Sequence, residues 1–144
     1  MQAQNYANHR RFVPMFHIVL FFIIILTLIG SGVNLFKSFG DHQRLYSAAL
    51  LVVVNISLLL MFFFVRIFSL KAQDRAIRAE ENLRHYILTG KPLDSRLTIR
   101  QIIGLRFASD EEFLALAKKA ADENLSEDNI KRAIKNWRGD YYWV

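Results

Sequence analysis

The chain has 144 residues and no cysteine, is 53% hydrophobic and only 22% charged, and carries a formal net charge of +6. The missing cysteine excludes disulfides, thiol catalysis, cysteine-ligated zinc and cysteine lipidation. The basic excess does not mark a nucleic-acid binder, because from Arg66 onward fifteen Lys and Arg interleave with twelve Asp and Glu. Mixed charge of that kind suits a solvated surface beside an anionic membrane better than a groove for phosphates.

Residues 1–13, MQAQNYANHRRFV, form a polar segment that belongs in the cytoplasm or at an interface, and Pro14 then suits the first turn of a helix, where its missing N–H is no loss. No charged side chain occurs from Pro14 to Phe36 or from Leu45 to Val65. Each stretch reaches the roughly 20 residues that cross a hydrocarbon core of about 30 Å. Within them VLFFIIILTLIG and LLVVVNISLLLMFFFV are apolar all round, whereas a helix at a soluble surface carries a polar stripe. Gly30-Ser31-Gly32 offers small residues for signal cleavage, yet apolar character resumes at Val33, Leu35 and Phe36, beyond the length of a signal core. The reading is therefore a transmembrane hairpin over 14–70, with spans at about 14–36 and 45–68. The short connection KSFGDHQR makes the spans antiparallel neighbours. Arg10, Arg11, Arg66, Lys71, Arg75 and Arg78 flank one end and only Lys37 and Arg44 the other, which puts both termini in the cytoplasm by the positive-inside rule.

Neither Gly nor Pro occurs from Arg66 to Thr89, so the second span should continue as a cytoplasmic helical extension over 71–89. On it, Asp74 with Arg78 and Glu80 with Arg84 have the i,i+4 spacing of helix ion pairs. Ala72, Ala76, Ala79, Leu83 and Tyr86 recur at alternating spacings of four and three, giving an apolar stripe. Its favoured use is packing against the chain's own C-terminal helices; the alternative is association with another chain. After the TGKP turn, residues 90–144 read as three short helices: a capping box of Thr98 and Gln101 opens one through about Phe107, Ser109 with Glu112 opens the second, and Ser126 opens a third that bears Trp137 and stops at Gly139. A region of this size rarely holds a sufficient core alone and should dock on the long helix, on headgroups or on another subunit. The fold class is thus an all-α membrane protein: a two-helix hairpin, a second span prolonged into the cytoplasm, and a small bundle of about three helices.

Thr27, Gly30, Ser31 and Asn34 on the first span and Asn55 on the second supply small or polar residues for helix packing and interhelical hydrogen bonds. His17, with Arg10, Arg11 and Arg66, belongs at the membrane interface, and Lys131, Arg132, Lys135 and Trp137 form a basic, aromatic face that could contact anionic lipid. His9, His17, His42 and His85 share no metal-binding spacing, and Asp110, Glu111 and Glu112 are accounted for by the positive end of a helix dipole. No phosphate loop, nucleophile elbow or HExxH helix occurs. No catalytic, cofactor or metal residue is therefore assigned, no small-molecule substrate is identified, and no nucleic-acid partner is expected.

Gln4-Asn5-Tyr6, Asn8-His9, and Pro14 with His17 at the front, then QDRAIRAEENLRHYILTGKPLD, IRQIIGLRFASDEEF and IKNWRGD, resemble an uncharacterised family of small two-span bacterial membrane proteins over nearly the full length. The resemblance implies a domain of unknown function in the bacterial inner membrane and carries no mechanism with it. Together with the residue pattern it gives the expectation of a non-enzymatic scaffold or accessory subunit, whose partners are the bilayer and either a second copy or another protein. The alternatives are a homo-oligomeric pore or transporter component lined by Asn34 and Asn55, and a sensor of the membrane surface.

Overall fold

A computed structural model of the chain describes residues 4–9 and 12–141. Among them the protein is all-helical, without strands. Helix α1, Met15–Lys37, opens with a π-helical stretch over Met15–Leu20 behind Pro14 and is α-helical from Phe21 to Lys37. Helix α2 is a single element from His42 to Thr89, and α3 (Ile99–Leu105), α4 (Asp110–Asp122) and α5 (Glu127–Ala133) follow. Two turns need glycine: Gly40 (φ 98°) lies between α1 and α2 and Gly90 (φ 70°) just past the end of α2, both in the left-handed region. The carboxylate of Asp41 accepts from the backbone N–H of Gln43 and Arg44 and so caps the start of α2.

The chain divides into two compact units, a hairpin unit of Phe12–Phe68 and a helical module made of Met1–Arg11 with Ser69–Val144. Within the hairpin unit, α1 and α2 are long and apolar enough to cross a bilayer. Phe62 of α2 stacks on Phe16 of α1 at 4.6 Å between ring centroids and lies 5.8 Å from Phe21. The buried positions toward and just past the end of α1 are Ile24, Ser31 and Ser38, seven apart, and α2 answers with Ala48. The small-residue set expected to form the packing face needs correcting: of Thr27, Gly30, Ser31 and Asn34 only Ser31 is buried, and a Cβ at Gly30 would meet nothing within 4 Å. The hydroxyls of Thr27 and Ser31 bond carbonyls of their own helix, and the amide of Asn55 donates to the Leu51 carbonyl at 2.9 Å rather than across to α1. A seven-residue spacing through Ile24 keeps one face inward, whereas the pairs four apart drift off it.

In the module, the core joins Ile77 of α2 to Ile102, Ile103 and Leu105 of α3, Phe113, Leu116 and Ala120 of α4, and Ile130 of α5, with Phe107 and Phe113 fully buried. Gly104 lets α3 approach α5 closely, since a Cβ there would stand 3.2 Å from the Glu127 carbonyl and from Ile130. The Thr98–Gln101 capping box forms, and the Gln101 amide also reaches the carbonyls of Ala120 and Leu125, tying α3 to the end of α4. The side chain of Ser126 caps α5 by accepting from Asn129 N–H, whereas Ser109 makes no side-chain cap. Helix α5 ends at Ala133, not at Gly139, because Ile134 turns extended and residues 136–138 pair with the chain after α3. Arg138 N–H donates to the Phe107 carbonyl at 2.8 Å and Ser109 N–H to the Asn136 carbonyl at 3.1 Å.

The stripe on α2 does not pack on the chain's own C-terminal helices. Ala72, Ala76, Ala79, Leu83 and Tyr86 are all exposed, and the buried or half-buried positions are Gln73, Asp74, Ile77, Glu81, Arg84 and His85. At 100° per residue those inward positions centre on the opposite side of the helix from the stripe. Glu81 and Arg84 hold the inner face because their partners are supplied there. Arg84, with a side chain only 10% exposed, donates to Glu81 at 3.0 Å, to the Ala108 carbonyl at 2.7 Å and to Asp110 at 2.7 Å, and its guanidinium lies over the Phe113 ring. The expected partnership of Glu80 with Arg84 is thus replaced by Glu81, three residues away, and Asp110 of α4.

Candidate functional site

The residues preceding α1 fold onto the module. The Gln4 amide makes two 2.8 Å hydrogen bonds with the backbone of Asp140, the Tyr6 hydroxyl donates to Asp128 of α5, and Arg132 lies over the Tyr6 ring. His9 is buried beside Phe107 and Trp137, with its ring 5.6 Å from each. Its protonation follows from its neighbours. Lys131 Nζ can only donate, and it stands 3.3 Å from Nε2; Nε2 is therefore the acceptor and the proton sits on Nδ1, which faces the Tyr6 carbonyl at 2.8 Å.

Between this strap and the helices lies a half-open cavity of about 470 Å³. Leu70, Gln73, Asp74 and Ile77 of α2 form one wall. Arg100 and Ile103 of α3, with Arg106 just beyond it, form a second. Glu127, Asp128 and Lys131 of α5 meet Tyr6 and His9 on the third side. Arg106 sits between the fully buried Leu105 and Phe107, which pins its guanidinium in the interior over the Phe107 ring. Asp140 approaches it at 3.3 Å, yet burial still pushes the Arg106 pKa down, against the upward pull of Asp140, Glu127, Glu81 and Asp74.

Most charges on these walls are already matched. Glu127 accepts from Lys131 at 2.6 Å and lies 3.6 Å from Arg100. Asp128 accepts from Tyr6 and Arg132, and those bonds, in that order, hold its carboxyl below the usual range. The α2 wall differs. Gln73 Oε1 is buried with no hydrogen-bond partner among the described residues, and the neighbouring Asp74, half-buried, makes no ion pair there. An unfilled buried acceptor costs about 1–3 kcal/mol. No group of three or more metal-ligating side chains occurs among the described residues.

A model of a family of unknown function, DUF6526, matches residues 1–144. The chain belongs to this family. No curated protein and no solved structure matches the chain. In this DUF6526 protein the stretches singled out in the sequence become structural: the Gln4 to His9 strap, Arg106 of the LRFASDEEF run and Trp137 of IKNWRGD meet in one cluster.

The other residues singled out disperse. Arg10 and Arg11 lie outside the described residues. In the hairpin unit His17 stacks on Phe12 and bonds the Val13 backbone, and Arg66 is half-buried. The lipid-facing reading of the last helix fails for Lys131, whose side chain is 12% exposed and held by Glu127, and for Trp137, which packs on Phe107. Arg132 and Lys135 remain exposed. Gln73, Asp74 and Arg106 were not foreseen as a set. The available signal was an arginine inside the apolar run IIGLRFA, which has to take a buried charge with it.

Proposed function

We propose that this protein is a non-enzymatic component of the bacterial inner membrane, a scaffold or accessory subunit that the hairpin anchors and whose cytoplasmic module associates with a second copy. The observation that carries the anchoring is exposure. Large apolar side chains stand open along both helices, Leu26 at 65%, Phe36 at 77% and Met61 at 58% among them. A soluble protein rarely leaves so large a continuous apolar surface in water, and lipid covers it without a protein partner. The strap supports an even number of crossings: residues before α1 and residues after α2 bond to each other in one module, as they would on one side of a bilayer. The basic residues after the second span favour the cytoplasm as that side.

The self-association reading uses the exposed stripe of α2. Two copies in one membrane have parallel second helices, and in a parallel pair with Ala72, Ala76, Ala79, Leu83 and Tyr86 at the seam, Arg75 falls opposite Glu80 of the other helix. Both residues are exposed and make no ion pair among the described residues, so each is available. The core of the module packs on the opposite face of α2, and residues 92–97 come beside the stripe only near Ala79. The pore alternative draws no support from Asn55, whose amide donates within its own helix.

Cross-linking in membranes tests the association. An Ala79→Cys variant of the cysteine-free chain should give a disulfide-linked dimer on oxidation, while Lys118→Cys on the surface of α4 should not. Glu80→Arg should weaken the dimer and Arg75→Glu in the same chain should restore it. A monomer at every concentration, with no Ala79 cross-link, contradicts self-association.

A further inference from the structure

We infer that the groove between α2 and residues 92–97 binds a phosphate monoester carried on a small apolar group. The inference goes beyond the scaffold reading and stands on the module alone. The groove has a volume of about 590 Å³, within the range of small-molecule sites. Arg75, Arg78 and Asn82 of α2 line it on one side, and Asp94 and Ser95 on the other. The rest of the lining is apolar, Ala79, Pro92 and Leu93 among it. Arg75, Arg78 and Asn82 follow one another at spacings of three and four along one side of the helix, and all three are exposed. Lys71, one turn earlier on the same side, adds a further exposed cation.

These groups are donors in surplus. Among the described residues Arg75 and Arg78 make no ion pair, so the expected i,i+4 pair of Asp74 with Arg78 does not form. Asn82 Oδ1 accepts from the Leu93 N–H at 2.9 Å, which commits the oxygen to the loop and leaves the amide N–H groups without a partner there; the Ser95 hydroxyl has none either. Acids do not cancel the charge. Asp94 is already held by Arg96 at 2.7 Å, Asp74 and Glu81 turn to the inner face of α2, and Glu80, two residues from Arg78, points to the far side. Two uncommitted guanidinium forks suit a tetrahedral dianion, and a phosphate monoester carries about −1.5 to −2 charges at neutral pH. A carboxylate leaves one arginine unmatched, and inorganic phosphate leaves the apolar lining to water. Two sources share the monoester chemistry: a soluble phosphate ester and the headgroup of phosphatidic acid. Arg75 also stands in the proposed dimer seam, so the test relies on Arg78 and Asn82, and its failure would leave self-association standing.

Calorimetric titration of the full chain in uncharged detergent micelles tests the inference with four probes: phenyl phosphate, dihexanoyl phosphatidic acid, dihexanoyl phosphatidylglycerol and inorganic phosphate. Phenyl phosphate or the phosphatidic acid should bind, the tighter of the two naming the source. Inorganic phosphate, which has no apolar body, and phosphatidylglycerol, a singly charged diester, should each bind at least about tenfold more weakly. Arg78→Gln and Asn82→Asp should each lower the affinity for the preferred probe by about tenfold or more. The aspartate keeps an acceptor for the Leu93 N–H, so the thermal midpoint of the unliganded protein should not fall. Lys135→Gln, which removes an exposed cation elsewhere on the module, should leave the affinity unchanged. Binding of inorganic phosphate or phosphatidylglycerol as tight as that of the preferred monoester would overturn the inference, and so would an equal loss in Lys135→Gln. No heat from either monoester at millimolar concentration, or an affinity indifferent to both Arg78→Gln and Asn82→Asp, would overturn it as well.

Discussion

Arg84→Met should destabilise the module far more than the loss of one surface ion pair, and Glu81→Met in the same chain should recover most of that loss. Glu81 is 4% exposed and its carboxylate accepts from Arg84 at 3.0 Å, while Arg138 stands off at 3.8 Å. Removing Arg84 therefore leaves a buried carboxylate whose remaining ion-pair partner among the described residues is Arg138 at 3.8 Å, and it also strips a donor from the Ala108 carbonyl. Breaking a buried pair from one side costs about 3–5 kcal/mol, whereas replacing both members by apolar side chains of similar size is often close to neutral. At roughly 4–8 °C per kcal/mol for a unit of this size, the single variant should lose at least about 12 °C in its thermal midpoint. Thermal denaturation in mild detergent, followed by tryptophan fluorescence, measures it, because Trp137 packs on Phe107 in the module core. A single variant within about 1 kcal/mol of the parent would refute the reasoning. A double variant at the sum of two large losses would refute it equally.

Gly104→Ala should cost about 1–3 kcal/mol by pressing a methyl against the Glu127 carbonyl and Ile130, while Gly30→Ala, which meets nothing, should not destabilise; thermal denaturation of the two variants side by side separates them. The Asp128 carboxyl is held low by Tyr6 and Arg132, so its contribution to the strap is complete above the ordinary carboxylate pKa of about 4 and is lost as pH falls through its lower folded value. Hydrogen exchange at residues 6–9 should therefore accelerate in acid before the module core opens, and Asp128→Asn should show the faster exchange at neutral pH as well. His9→Phe should loosen the strap by removing both the Lys131 contact and the bond to the Tyr6 carbonyl, with limited proteolysis near residue 9 as the readout.

The sequence made the two apolar helices legible because nothing but a run of apolar residues was needed to see them. Turn chemistry was equally plain, with Gly40 and Gly90 both at positive φ. What escaped was the direction of the inner face of α2. A stripe of alanine, leucine and tyrosine has the pattern of a core face, yet the module packs against Ile77 flanked by Gln73, Glu81 and Arg84. Periodicity ranks residues by hydrophobicity, and it misses a polar face whose partners, Asp110 and the Ala108 carbonyl, come from about 25 residues along the chain. The strap was hidden for the same reason. Gln4 and Asp140 are 136 residues apart, and no local pattern links them. The end of α5 was set by backbone pairing between Phe107 and Arg138, where helix-compatible residues continue past Ala133.

The central claim, two crossings with both ends in the cytoplasm, is tested most directly by cysteine accessibility, since the chain contains no cysteine of its own. Gln43→Cys stands in the exposed start of α2, and Glu123→Cys stands at the exposed end of α4. In intact bacterial cells a membrane-impermeant maleimide should label the variant at 43 and leave the variant at 123 untouched until the cells are broken, and both variants should stay with the membrane after an alkaline carbonate wash. Labelling of both positions from outside, of neither, or release of the protein by the wash would contradict the account.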